Sequence, residues 1–174
     1  MLRGEYVILR VPEIDDTSIM TAWQNDREVT KFLSMVYPIS KKTQEDYLKE
    51  LESCNDNISL IVTTEDEIPI GIASLNNISW LNSTAEICVV IYAKSCWGRG
   101  YGFDTVRTLV NYGMLEMNLH TVYANIIENN EKAIRCFQKA GFEVEGTLYH
   151  RLYKDGQFRN IVSMSIYKDK NKEE

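Results

Sequence analysis

Cys96 to Val106, CWGRGYGFDTV, places glycines at 98, 100 and 102 around Arg99 and Tyr101. An apolar run, Ala85 to Tyr92, precedes it. Phe103, Val106, Val110, Gly113, Met114 and Met117 follow at helical spacing. A strand that passes through glycines into a helix presents bare N–H groups at the positive end of the helix dipole. Phosphate or pyrophosphate binding suits that arrangement, with Arg99 adding charge. A plain tight turn would use the same residues. The stretch is not a P-loop, because no Gly-Lys-Ser/Thr closes it. It is not a dinucleotide fingerprint either, because the spacing is GxGxG and no βαβ unit opens the chain.

The remaining reactive side chains are sparse. Cys54, Cys88, Cys96 and Cys136 form no CxxC pair, and the two histidines are His120 and His150. No metal site is expected, and the cysteines read as reduced thiols that fill the core. His120 reads as a brace between a helix and the next strand. The net charge of -6 argues against nucleic acid and for a solubilising acidic surface. No apolar stretch reaches the ~18 residues of a membrane helix. MLRGEYVILR lacks the apolar core of a signal peptide, so a cytoplasmic protein without a membrane partner is expected.

These residues need a scaffold, and the 174-residue chain reads as one alternating α/β domain over 1–167 with a solvated tail, 168–174. Tyr6 to Arg10 is a short strand. PEIDDTSIMTAWQND is helical, with Asp15 or Asp16 as cap and Ile19, Ala22 and Trp23 on one face. Ser40 caps a helix through Leu51, with Tyr47, Leu48 and Leu51 inward. ISLIVTT and IPIGIASL are strands joined by Glu65 to Glu67. Ala85 to Tyr92 is a strand buried on both faces. TVYANII is another strand. Asn130 caps a short helix that Gly141 stops in the left-handed conformation. Two closing strands, Glu143 to Tyr149 and Ile161 to Tyr167, flank KDG.

Two segments taken together, CWGRGYG and ENNEKAIRCFQKAGF, resemble the GCN5-related N-acetyltransferase (GNAT) superfamily. WGRGYG matches its coenzyme A pyrophosphate loop, and NNEKAIRCFQKAGF its pantetheine-contacting segment. TAEICVVIYAKSCWGRGYG and LYKDGQFRNIVSMSIY resemble the RimJ/RimL-type branch of ribosomal N-terminal acetyltransferases, close to spermidine acetyltransferases. The resemblance implies an α/β GNAT fold: a mixed central sheet, flanked by helices and splayed between its fourth and fifth strands. It implies an acetyl-CoA-dependent N-acetyltransferase that acts by direct attack of a primary amine, either a protein N-terminus or a small molecule. A polyamine acetyltransferase and a non-catalytic coenzyme A-binding module are the alternatives. A monomer or homodimer would fit the first reading, a ring-like assembly the polyamine enzyme.

Residue by residue, the resemblance assigns the pyrophosphate to Trp97, Gly98, Arg99, Gly100, Tyr101, Gly102 and Phe103. Backbone groups of Val89, Val90 and Ile91 would meet the pantetheine, whose thiol end would meet Asn130, Lys132 and Phe137. Glu86 would be the base, because STAEI resembles SAEF of the spermidine enzymes. Phe137 stands where many members carry a proton-donating tyrosine and has no hydroxyl. Water, Tyr92 or Tyr149 would then protonate the leaving thiolate, or it would leave unprotonated. Cys136 would point away from the cofactor if Phe137 faces it. Trp23, Asp26, Tyr37 and His150 would line the acceptor site. The His150-Arg151 pair tilts the acceptor away from polyamines and toward an amine with an anion nearby.

Overall fold

The computed structural model describes residues 1–34 and 37–168. One eight-stranded sheet runs through it: β1 (Leu2–Arg3), β2 (Val7–Arg10), β3 (Ile58–Thr64), β4 (Pro69–Ser79), β5 (Thr84–Ile91), β6 (Thr121–Ile127), β7 (Glu143–Lys154) and β8 (Gln157–Tyr167). Their spatial order is β1-β2-β3-β4-β5-β6-β8-β7. The helices are α1 (Thr17–Gln24), α2 (Arg27–Thr30), α3 (Lys41–Ser53), α4 (Tyr101–Leu115) and α5 (Glu131–Lys139). The tail beyond Lys168 lies outside the described residues.

Period-two alternation settles which face each strand residue meets. Ala85 and Ile87 of β5, and Val122, Ala124 and Ile126 of β6, point into the main core beneath α4, with Leu109 and Val106. On the other face Met20 of α1 and Leu48 of α3 pack on Ile61, with Ile72 beside them. The N-terminal strands are tied to α4 by Asp104. Its buried carboxylate accepts the backbone N–H groups of Tyr6 at 2.8 Å and Val7 at 3.2 Å.

All neighbouring strands are antiparallel except β5 and β6, which are parallel. That pair is joined only at Thr84–Thr121, Ala85–Val122 and Glu86–Tyr123. Past Glu86 the two strands part, while β5 stays paired with β4 as far as Ile91 and β6 with β8 as far as Ile127. A notch with unpaired strand edges therefore opens between residues 87–91 and 124–127.

The splay falls between the fifth and sixth strands, because the two-residue β1 adds one to the count. The fifth strand is not buried on both faces. Cys88 is exposed and Val89, Val90 and Ile91 are half-buried, because they border the notch. α1 turns Thr17 and Met20 inward and leaves Ala22 exposed. In α3 Gln44 is buried beside Leu48, while Tyr47 faces solvent. The closing strands are longer than expected and continue through irregular pairing around His150, whose φ of 53° breaks the alternation.

Candidate active site

The glycine stretch ends β5 and starts α4. Gly98 (φ 74°) and Gly100 (φ 92°) are left-handed, a conformation costly for other residues. A Cβ at either would meet no protein atom within 4 Å, so the bare backbone faces open space. Gly100 is the N-cap of α4 and supplies no side chain to the first-turn N–H groups. Gly102 has ordinary backbone, and a Cβ there would make van der Waals contact with Ile91 at 3.8 Å and Cys136 at 3.9 Å. The loop is held from behind. Trp97 Nε1 donates to the Ile91 carbonyl at 2.6 Å, and Phe103 lies under the Lys139 ammonium at 4.6 Å. Open N–H groups at the head of a fifteen-residue helix, with Arg99 exposed among them, fit a pyrophosphate.

Glu86 sits at the apex of the notch, at the last paired position of β5 and β6. Its side chain lies on the sheet face opposite α4, because its neighbours Ala85 and Ile87 enter the main core. Asn77 Nδ2 donates to Oε2 at 3.0 Å and Asn125 Nδ2 to Oε1 at 2.9 Å. Asn77 has φ 52° and lies where the β4–β5 register shifts. The two amides fix the carboxylate, and each oxygen keeps a further lone pair for a proton or a water.

Tyr92, six residues beyond Glu86 and just past the end of β5, is buried and stacks on Trp23 with centroids 5.3 Å apart. Burial pushes its phenol well above the ordinary range, so it stays protonated. Among the described residues no partner takes its hydroxyl proton.

The other expected residues are placed as follows. Asn130 caps α5 through its side-chain oxygen, which accepts from Ala133 N at 3.3 Å, so its NH₂ is left to donate. Lys132 is exposed on α5. Phe137 is buried against Phe142, edge-on at 4.9 Å, within the main core. Cys136, one residue back, is the side chain that borders Gly102, the reverse of the expected orientation. Burial raises its thiol pKa and lowers its worth as a nucleophile. Asp26 both caps α2 and pairs with Lys94 at 2.9 Å, and the Lys94 ammonium holds its carboxyl below the usual range. Its neighbours Asn25 and Arg27, not Asp26, line a cavity of about 500 Å³ shared with Tyr37. His150 is exposed on β7 and donates its backbone N–H to Asn160 Oδ1 at 3.0 Å. Asn160 Nδ2 in turn donates to Glu128 at 2.9 Å, a pairing an aspartate at 160 would turn into repulsion. His120 braces its junction through its backbone, to Ser83 and Lys168.

Sequence reasoning missed Asn77 and Asn125, and it named Trp97 for the pyrophosphate without its tie to the Ile91 carbonyl. Two adjacent asparagines inside a strand are unfavourable there, and that was the one local signal for Asn77. Among the described residues no group of three His, Cys, Asp or Glu side chains could hold a metal ion. No helix among them is long and apolar enough to cross a membrane.

A strand that leaves its parallel neighbour, a glycine-capped helix after it and a carboxylate at the fork are the arrangement that the resemblance to the GNAT acetyltransferases implies. Residues 7–143 match the Acetyltransferase (GNAT) domain family model, and the chain belongs to that family of N-acetyltransferases. It is 27% identical over 172 residues to the uncharacterised N-acetyltransferase p20 of Bacillus licheniformis, covering 96% of each chain. It is 33% identical over 97 residues to the spermidine N(1)-acetyltransferase of Escherichia coli K12, 56% of this chain and 52% of that one. In fold it is similar to the spermidine N-acetyltransferase of Vibrio cholerae in complex with CoA and spermine. The TM-score is 0.89 and identity 22%, with 94% of this chain and 96% of that one covered.

Proposed function

We propose that this protein transfers the acetyl group of acetyl-CoA directly to a primary amine, with Glu86 as the base. The observation that carries the reading is the position of Glu86: a fixed carboxylate at the fork of β5 and β6, on the strand that leads into the glycine cradle. Acetyl-CoA supplies a thioester carbonyl activated for attack. Gly98, Gly100, Gly102 and the first turn of α4 hold its pyrophosphate, with Trp97, Arg99, Tyr101 and Phe103 around them. The unpaired edge at Val89, Val90 and Ile91 receives the pantetheine amides as an added strand would. Asn130 and Lys132 would meet its thiol end, whereas Phe137 is turned into the core.

The acceptor amine is protonated at neutral pH, since free amines have pKa values of about 8 to 10. Glu86 takes that proton, directly or through one water, and the freed nitrogen forms its bond to the carbonyl carbon as the carbon–sulfur bond breaks. A backbone N–H of β5 steadies the oxygen as charge develops. The departing sulfur takes a proton from water, since Tyr92 lies six strand residues, about 20 Å, beyond Glu86. Phe137 cannot serve in that step.

The same reading places the protein in the cytoplasm, within the RimJ/RimL-type branch, with residues 1–167 as one domain working as a homodimer. Its four unpaired cysteines support the first point. The outermost strand β7, with Val144, Leu148 and Tyr149 exposed, supports the last. A polyamine acceptor is the second reading, favoured by the likeness to spermidine acetyltransferases.

Coenzyme A release, followed with a thiol reagent across polyamines, amino sugars, amino acids and N-terminal peptides, tests the proposal. Acceptor-dependent release is expected. Gly100→Asp should abolish acetyl-CoA binding by calorimetry, because it adds a left-handed side chain and a negative charge to the cradle. Undiminished affinity would refute the assignment of the loop.

A further inference from the structure

Glu128 aside, the acceptor side of the notch is basic, although the whole chain carries -6. β6 shows the geometry. Tyr123 pairs with Glu86, Asn125 donates to Glu86, and Ile127 is the next residue on that face. Ile127 floors a cavity of about 120 Å³, walled by Lys31, Lys154 and Arg159. This cavity shares Lys31, Lys154 and Asp155 with the larger one of about 500 Å³, which adds Arg27. Four residues of strand at about 3.3 Å each put the smaller cavity roughly 13 Å from the level of Glu86.

The charges there are uneven. Arg27, Lys31, Lys154 and Arg159 line the two cavities, against the single carboxylate of Asp155. Lys154 is occupied, donating to the carbonyls of Thr30 and Leu33 and so tying the β7–β8 turn to the end of α2. Among the described residues Arg27, Lys31 and Arg159 form no ion pair. Asp26 and Glu28, the acidic residues that would balance them from α2, are both bound to Lys94 instead. Two unpaired cations, Lys31 and Arg159, beside the Ile127 floor, with Arg27 on the adjoining cavity, attract an oxyanion and repel a second ammonium.

We infer that the acceptor is a primary amine carrying a carboxylate or phosphate within about 13 Å of its nitrogen, with Lys31 and Arg159 holding the oxyanion while the amine meets Glu86. This rests on the proposed transfer reaction and specifies its substrate. It also separates this chain from a polyamine enzyme, whose substrate ends in a cation.

The test compares ω-amino carboxylates of increasing length with α,ω-diamines of the same length, and adds one aminoalkyl phosphate. Binding is measured first, without acetyl-CoA, by amide chemical-shift titration of the full chain. The carboxylates or the phosphate should shift Lys31, Ile127, Asn129 and Arg159, and the diamines should not. Lys31→Gln and Arg159→Gln should each weaken that binding about tenfold with an unchanged backbone spectrum. Whichever of the carboxylate and phosphate series binds tighter names the oxyanion. Diamines that bind as well as the amino acids, or affinities that ignore both substitutions, would overturn the inference. Coenzyme A release is measured separately on the same compounds. Oxyanion binding with no acetylation of any amine would leave the pocket standing and remove the transfer reading. Acetylation of diamines alone would do the opposite.

Discussion

At the scale of single residues the proposed activity turns on how Glu86 is held. Asn77 and Asn125 each donate to one of its oxygens, and in the proposed reaction both position the base. Asn125→Leu should lower kcat about tenfold while leaving acetyl-CoA affinity unchanged. In a Glu86→Gln background the same substitution should cost almost nothing more, because contacting residues act non-additively. Steady-state kinetics on the four proteins checks this, and an equal loss in both backgrounds would mean that Asn125 acts elsewhere. Gly98 and Gly100 were legible in the sequence because their left-handed backbone favours glycine. Asn77 and Asn125 were not, because their role depends on register across β4, β5 and β6. Nor was the burial of Phe137, since the short α5 could have turned either that ring or Cys136 toward α4.

Among the elements, two polar ties hold the site's supports in place. Asp104, in the first turn of α4, accepts two backbone N–H groups from the N-terminal strands and pairs with Arg107 at 3.0 Å. Asp104→Ala leaves the buried Val7 donor and the part-buried Tyr6 donor without partners, at about 1–3 kcal/mol for the buried one and less for the other. A total loss of about 3 kcal/mol would lower Tm by roughly 10 °C in a chain of this size, measurable by thermal unfolding. Arg10, closing β2, grips Asp16 at the entry to α1 with both guanidinium nitrogens at 2.7 Å. That guanidinium holds the Asp16 carboxyl below its usual value. The stability it contributes is complete above about pH 4, where the unfolded carboxyl is ionised. It is lost as pH falls from there through the lowered folded value. Asp16→Asn should therefore be less stable than the parent at pH 6, and the gap should close toward pH 3; a constant gap in urea titrations would count against the pair. Most element signals were local and readable: the side chains of Ser40 and Asn130 cap α3 and α5, and Gly141 at φ 96° ends α5. The full length of β7 and β8 was hidden because the bulge at His150 interrupts the alternation that marks a strand.

For the whole molecule, the parting of β5 from β6 creates the site, and no local pattern announces it. Pairing of parallel strands depends on partners far apart in sequence, so the notch was expected from family resemblance alone. The basic cavities were equally invisible, since Lys31 meets Arg159 from the opposite end of the chain. The exposed outer strand yields a prediction at this scale: the protein should sediment as a dimer, and Leu148→Glu should shift it to monomer without loss of folded signal. Acetyl transfer to an amine with Glu86 as base is tested most directly by amine-dependent coenzyme A release from the parent and from Glu86→Gln between pH 6 and 9. Release should require the amine, and kcat should be lower by about 10²–10⁴ in the variant, with acetyl-CoA affinity preserved. Equal kcat in the two proteins across that range would contradict it.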